Sequence, residues 1–89
     1  MIKIIKAETI GQTQVRLTFS DGTLGDYDLG PLLCKDTVLT RPLKNPEYFS
    51  AHFLELGALG WRNGLELSPA ALHSELRNSN KLTRAQQAA

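Results

Sequence analysis

The sequence is poor in the residues that build most metal sites and catalytic centres. It contains two histidines, His52 and His73, and a single cysteine, Cys34. One cysteine excludes an internal disulfide, and the absence of His-x-x-x-His and Cys-x-x-Cys spacings argues against a zinc site. A glycine-rich phosphate-binding loop is also missing, because the seven glycines are scattered along the chain. We therefore predict no catalytic residue, no metal ligand and no cofactor.

These three residues each have an ordinary structural interpretation. We expect His73 to be an exposed helix residue and His52 to follow a short helix. Cys34 is expected to be a buried or half-buried thiol, since cysteine is among the most buried residue types. None of them has the converging partners that a catalytic site requires.

A surplus of one charge is absent as well. Ten lysines and arginines stand against nine acidic residues, which leaves a net charge of +1. Dedicated nucleic-acid binders usually concentrate positive charge, so this balance argues against that class but leaves weak or partner-assisted binding open. Charges also interrupt the apolar start, Met1–Lys6, so we expect neither a signal peptide nor a membrane span there. A lone cysteine fits a cytoplasmic location.

The composition is that of one small folded domain. The chain has 89 residues, 42% of them hydrophobic, which is ordinary for a globular domain. We predict a single α+β domain over residues 1–77, with a small, mainly antiparallel sheet, two hairpins, short helical turns and a C-terminal helix. Residues 78–89 are predicted to be a flexible basic tail, because the apolar pattern stops there.

The first hairpin is defined by the alternation of its strands. A three-residue loop, Ser20–Gly22, pairs Leu17 with Gly25 and turns Asp26 and Asp28 outward. A two-residue loop would place both carboxylates on the apolar face, where unpaired charge is unfavourable. Three-residue hairpins also favour a left-handed glycine at the third position, so we predict the longer loop.

The second hairpin follows the same rule. A three-residue loop, Arg62–Gly64, pairs Trp61 with Leu65, whereas a two-residue loop would pair Trp61 with Glu66. The longer loop sends Trp61 into the core, as is usual for large aromatic residues. Arg62 is then exposed at the turn.

Proline positions and capping residues indicate the remaining elements. We predict a helical turn at Pro31 and an edge strand over Val38–Leu43 that Pro42 weakens. A helix should start at Pro46 and a strand should follow over Phe53–Leu56. The main helix should open at Ser68–Pro69 and bury Leu72 and Leu76.

Two groups of charged residues are candidates for a partner surface. Asp21, Asp26 and Asp28 form an acidic edge that suits a cation or a basic partner. The interpretation that we prefer is a solvated strand face, in which Asp28 helps to cap the turn at Pro31. Arg62 and the basic tail complete the candidate set, which is Asp21, Asp26, Asp28, Arg62, Lys81 and Arg84.

Several motifs together resemble a known family. Phe-Ser-Asp-Gly at 19–22, Leu-Lys-Asn-Pro-Glu-Tyr-Phe at 43–49 and Trp-x-Asn-Gly at 61–64 are similar to the small bacterial family called domain of unknown function 2442, over residues 1–77. The resemblance implies an α+β fold without established enzymatic activity. It also implies a regulatory or antitoxin-like role, because some members carry a helix-turn-helix or are encoded beside toxin-like proteins. The present chain has too few residues after 77 for a helix-turn-helix, and Glu66 stands where similar sequences often have aspartate.

We draw three functional hypotheses from these patterns. The first is a non-enzymatic interaction module that binds a protein partner, or a second copy of itself, through an exposed sheet edge or the tail. The second is a nucleic-acid-associated regulator. The third is a small-ligand binder that uses Asp21, Asp26 and Asp28.

Overall fold

The computed structural model describes residues 1–84. These residues form two antiparallel sheets and three α-helices. The four-stranded sheet has the order β1-β2-β3-β7, and the three-stranded sheet has the order β4-β5-β6. The strands are Ile4–Thr9 (β1), Gln14–Phe19 (β2), Thr23–Asp28 (β3), Phe53–Glu55 (β4), Ala58–Gly60 (β5), Glu66–Leu67 (β6) and Thr83–Arg84 (β7). The helices are Gly30–Leu33 (α1), Pro46–Ser50 (α2) and Pro69–Asn78 (α3), with a 3₁₀ helix at Arg41–Lys44. The predicted α+β class is confirmed.

The β2–β3 hairpin has the predicted three-residue loop. Leu17 lies opposite Gly25, and Arg16 lies opposite Asp26. Gly22 adopts the left-handed conformation, with φ of 87°, which a residue with a side chain rarely adopts. Leu17 is fully buried while Asp26 is on the other face, so the alternation of the sequence sets the register.

The second hairpin also confirms its predicted register. Gly60 lies opposite Glu66, the Trp61 amide donates to the Leu65 carbonyl over 2.9 Å, and Gly64 has a φ of 96°. Trp61 is 1% exposed. Its indole Nε1 donates to the Phe49 carbonyl at 3.0 Å, which ties this hairpin to α2.

One hydrophobic core joins both sheets to the helices. Helix α3 begins at Ser68, whose hydroxyl accepts from the Ala71 amide, and it buries Leu72 and Leu76 as predicted. The core contains Ile4, Val15, Leu17, Phe19, Leu29, Leu33, Leu43, Phe49, Leu59, Trp61, Leu72 and Leu76.

The strand predicted over Val38–Leu43 is wrong, because this segment is a turn followed by the 3₁₀ helix. The Thr37 amide donates to Thr40 Oγ1 at 2.9 Å, and the Thr40 amide donates to Thr37 Oγ1 at 3.2 Å. Such local hydrogen bonds compete with sheet formation. Pro42 lies in the first turn of the 3₁₀ helix rather than interrupting a strand.

The flexible tail predicted from residue 78 is anchored over its first half. The Lys81 amide donates to the Leu76 carbonyl at 2.8 Å, and Leu82 packs against the core. Strand β7 then pairs with Thr23 and Leu24. The prediction that nothing holds this segment is therefore wrong for residues 81–84, and residues 85–89 lie outside the described part of the chain.

Candidate functional site

Asp26 forms an ion pair with Arg16 across the first hairpin. Its carboxylate accepts two hydrogen bonds from Arg16, from Nε at 2.8 Å and from Nη2 at 3.1 Å. This hydrogen bonding from Arg16 lowers the pKa of Asp26. A bidentate pair of this kind fixes both side chains on the strand face, so Asp26 is engaged within the sheet.

The other two acidic residues of the predicted edge are held by different neighbours. Asp28 Oδ1 accepts from the Gly30 amide and from the Thr13 hydroxyl, both at 2.8 Å, so Asp28 caps the start of α1. The Gly30 hydrogen bond is the main reason that the pKa of Asp28 is lowered. Asp21 accepts from the Thr23 amide and hydroxyl. Residues 1–84 hold no group of three or more His, Cys, Asp or Glu side chains that could bind a metal ion.

His73 is buried, which corrects the expectation of an exposed residue. It is 9% exposed, its Nε2 lies 2.9 Å from Asp21 Oδ2, and its ring meets Phe19 edge-on with centroids 5.0 Å apart. His73 thus links α3 to the first hairpin turn. The spacing signals this position, because a residue three before the buried Leu76 lies on the same helix face.

His52 follows α2, as expected, and lies between the two sheets. Its Nε2 is 3.0 Å from Thr9 Oγ1, and its ring meets Trp61 edge-on with centroids 6.1 Å apart. Burial lowers the pKa of His52 because the charged imidazolium loses hydration.

We expect this pKa shift to make stability fall in mild acid. The unfolded chain takes up a proton on His52 near its usual pKa of about 6.5, while the folded chain does so only at lower pH. The unfolding free energy should therefore decrease as the pH falls below that value. Urea titrations across this range, followed by the fluorescence of Trp61, measure the slope.

The matched variant is His52→Gln, which keeps a polar side chain beside Thr9 without a titrating group. Its unfolding free energy should depend less on pH than that of the wild type, while His73 is present in both proteins. An equal slope in the two proteins would assign the effect to groups other than His52.

Cys34 is exposed, so the expectation of a buried thiol is wrong. It is the residue that ends the four-residue helix α1, whose inward position is taken by Leu33. Cys34 lines a largely apolar cavity of about 360 Å³ together with Leu33, Leu43 and Lys44. Lys44 is itself engaged, because its Nζ donates to Asp36 at 3.1 Å.

The basic candidates lie on different parts of the surface. Arg84 Nη1 donates to the Asp21 carbonyl at 3.4 Å. Lys81 lines a cleft of about 260 Å³ with Asp26 and Asp28. Arg62 lines a separate groove and is described further below. The structure thus brings five of the six candidates near the β3 edge and leaves Arg62 apart.

Tyr27 closes one side of the cleft that contains Lys81. Its hydroxyl donates to Glu75 Oε1 at 2.8 Å. Burial, reinforced by this carboxylate, raises the pKa of Tyr27 to about 12, so the phenol is neutral at physiological pH. The hydrogen bond joins β3 to α3 and has a structural role.

The edges of the four-stranded sheet are partly covered. Hairpin β4–β5 lies beside β1, since the Ile4 amide donates to the Gly57 carbonyl at 2.9 Å and Thr9 contacts His52. The β3 edge is covered over Thr23 and Leu24 by β7. Among the described strands, edge pairing, which our first hypothesis invoked, could use the rest of the outer side of β1 and the Gly25–Asp28 part of β3.

An exposed leucine at the tip of the β4–β5 hairpin stands out instead. Leu56 is 91% exposed and has a φ of 52°, followed by Gly57 with a φ of 86°. Two positive φ angles are the signature of a type I′ turn, which favours Asn-Gly. We call Leu56 and the neighbouring Ile5, which is 62% exposed, the hairpin-tip surface.

Sequence reasoning missed this surface because it assigned Phe53–Leu56 to a strand. Strand β4 ends at Glu55, and Glu55 lies opposite Ala58. The available signal was Gly57 between two apolar segments, which is typical of a tight turn.

No protein-family model, curated protein or solved structure matches the chain. The resemblance to domain of unknown function 2442 therefore remains a prediction. None of the helices within residues 1–84 is long and apolar enough to cross a membrane.

Proposed function

We propose that this chain is a non-enzymatic interaction module that binds a protein partner through the hairpin-tip surface. The observation that carries the proposal is Leu56, a large apolar side chain held in left-handed backbone and 91% exposed. Its side chain adds nothing to the core, and its backbone conformation is unfavourable for a leucine. A contact with another molecule accounts for a leucine at this position.

Exposure alone would be a weak argument, because single exposed apolar residues are common. The backbone conformation strengthens it. Left-handed backbone costs an ordinary L-residue roughly 1–2 kcal/mol, and a bulky residue there is a true outlier. Strain of this kind concentrates at functional positions. Asn or Gly would relieve it, so stability does not explain the leucine.

The tip is held firmly enough to serve as a binding element. Gly57 lies so close to the chain that a Cβ there would be 2.7 Å from Lys3 Cβ. The hydrogen bond from the Ile4 amide to Gly57 adds a second attachment. Ile5 and Leu56, which follow and precede these bonded residues, therefore have fixed backbone positions.

The same proposal includes a regulatory or antitoxin-like role in a bacterial cytoplasm. This part is supported by the resemblance of residues 1–77 to domain of unknown function 2442. Direct nucleic-acid binding has less support, since Arg84 is bonded to Asp21 and Lys81 lies beside Asp28. A partner protein is the simpler target for an apolar tip.

We expect Leu56→Asn to stabilise the fold and to weaken partner binding. Asparagine tolerates left-handed backbone, so the free energy of unfolding should rise by about 1 kcal/mol. Urea unfolding measures this change. The matched control is Val38→Asn, because Val38 is 78% exposed and has no positive φ. The control should leave stability within about 0.5 kcal/mol of the wild type.

The binding half of the test uses a photo-crosslinking residue at position 56 in living cells. The crosslinked protein is identified, made separately and titrated against the wild type and both variants. Leu56→Asn should weaken this binding strongly, and Val38→Asn should not. Crosslinks only to a second copy would replace the protein partner with self-association. Equal affinity for all three proteins would refute the role of the hairpin tip.

A further inference from the structure

A second feature, the groove beside Arg62, has a defined chemistry. This groove has a volume of about 410 Å³ and is lined by Pro42, Asn45, Glu47, Tyr48 and Arg62. It lies between the 3₁₀ helix, α2 and the turn of the second hairpin. We call it the Arg62 groove.

The guanidinium of Arg62 is positioned by an aromatic ring. Its Cζ lies 4.4 Å from the centroid of Tyr48, which is within the range of a cation–π interaction. No hydrogen bond or ion pair of the Arg62 side chain occurs within residues 1–84. By contrast, Arg16 and Arg41 each donate to a carboxylate. Arg62 is thus oriented, while its N–H donors remain open to a ligand.

The two sides of the groove are fixed to each other. Trp61 Nε1 donates to the Phe49 carbonyl at 3.0 Å, which connects the hairpin to α2. Asn63 Nδ2 donates to the Leu39 carbonyl at 3.0 Å, which connects the turn to the segment before the 3₁₀ helix. A site assembled before its ligand arrives loses less entropy on binding.

We propose that the Arg62 groove binds a peptide segment that presents a carboxylate to Arg62 and a donor group to Glu47. A planar guanidinium with free donors matches a carboxylate through two parallel hydrogen bonds. Glu47 in the same groove complements an amide or ammonium group. The apolar faces of Pro42 and Tyr48 accommodate the aliphatic part of such a segment.

The charge pattern favours this ligand over nucleic acid. The groove holds one basic and one acidic side chain, so a strand of phosphates would meet Glu47 as well as Arg62. A segment with one acidic and one donor group satisfies both. The whole chain, with a net charge of +1, adds no broad field that would attract a polyanion.

The inference goes beyond the hairpin-tip proposal and rests on different residues. The groove is built from α2, the 3₁₀ helix and the turn between β5 and β6. Leu56, by contrast, lies in the turn between β4 and β5. Either surface can bind its ligand if the other binds none. A Leu56→Asn variant should accordingly keep its full affinity for groove ligands.

The experiment uses capped synthetic peptides and the full-length, ¹⁵N-labelled protein. Each peptide contains one glutamate and one lysine separated by a run of glycines, and the run is varied to cover different spacings. Matched peptides carry glutamine in place of the glutamate. Binding is followed by NMR through the side-chain Nε–H signal of Arg62 and the backbone amide of Tyr48. At least one glutamate peptide should shift both signals more than its glutamine counterpart.

Variants then separate the groove from general electrostatics. Arg62→Ala should weaken binding of that peptide about tenfold or more, since charge-assisted hydrogen bonds are lost. Arg77→Ala removes the same charge from an exposed helix position and should leave binding unchanged. Arg62→Lys should bind less well than the wild type, because lysine lacks the planar fork.

Three results would overturn the inference. The first is that no glutamate peptide shifts the Arg62 signal more than its glutamine counterpart. The second is that Arg77→Ala and Arg62→Ala weaken binding equally. The third is that a short single-stranded oligonucleotide shifts the same signals more strongly than every peptide, which would assign the groove to nucleic acid.

Discussion

Replacing Trp61 with alanine is expected to remove about 3–5 kcal/mol from the free energy of unfolding. Trp61 is 1% exposed, contacts the rings of Phe49 and His52 and donates its indole N–H to the Phe49 carbonyl. The substitution therefore leaves a large cavity and an unsatisfied acceptor. Small domains have an unfolding free energy of about 5–15 kcal/mol in total, so Trp61→Ala should lose a large share of the stability.

Urea unfolding followed by circular dichroism measures the loss, since the variant lacks the fluorescent residue. Trp61→Phe is the matched control, because it keeps an aromatic ring in the core and removes the N–H donor. It should lose roughly 1–3 kcal/mol, the penalty for an unsatisfied buried carbonyl. A loss below about 1 kcal/mol in Trp61→Ala would show that the second hairpin does not depend on this side chain.

Gly25→Val is expected to detach residues 81–84 from the sheet. A Cβ at Gly25 would lie 2.9 Å from the Lys81 carbonyl oxygen and 3.1 Å from Leu76 Cδ1. The chain at Lys81 must then move away, and overpacking at such sites costs roughly 1–3 kcal/mol. The unfolding free energy should fall by that amount, and the amide of Leu24 should lose protection from hydrogen exchange.

The control for this substitution is Gly11→Val. A Cβ at Gly11 would meet only the side chain of Gln14, at 3.5 Å, and Gly11 has no positive φ. It should therefore change stability by less than about 0.5 kcal/mol. Equal unfolding free energies for the two variants would contradict the close packing of Lys81 on Gly25.

Both hairpins could be predicted because their strands have two different faces. A register shift of one residue reverses the faces of the return strand, so Asp26 and Asp28 would join Leu17 on the apolar face. Only one loop length avoids this, and the structure has that loop. The starts of α3 and α2 could also be predicted from the sequence. Their N-cap residues, Ser68 and Asn45, have side chains that accept hydrogen bonds from amides a few residues away.

Long-range packing could not be predicted from local patterns. Residues 81–84 contain one large apolar residue, and the space that receives them exists only because Gly25, far away in the sequence, has no side chain. At Val38–Leu43 we predicted an edge strand, but hydrogen bonds between Thr37 and Thr40 favour a turn. In both cases the deciding contact lies outside the pattern that was used.

Only part of the candidate site could be predicted, because its remaining contacts are also long-range. Arg62 follows from the loop length of its hairpin, and the structure adds the ring of Tyr48 beneath it. Leu56 was hidden because a Leu-Gly turn departs from the usual Asn-Gly preference. The acidic candidates looked alike in sequence, but Asp26 and Asp28 have different partners, Arg16 and Gly30, in the structure.

The pairing of β7 with β3 also determines the order in which the sheet assembles and opens. Arg84 and Asp21 are 63 residues apart in the chain, whereas β2 and β3 are joined by a tight turn. Closing the longer loop loses more chain entropy, so we expect the hairpin to form early and β7 to dock late. We expect opening to follow the reverse order, with β7 separating in local fluctuations that leave the rest intact. Such fluctuations would expose the edge of β3 without unfolding of the domain.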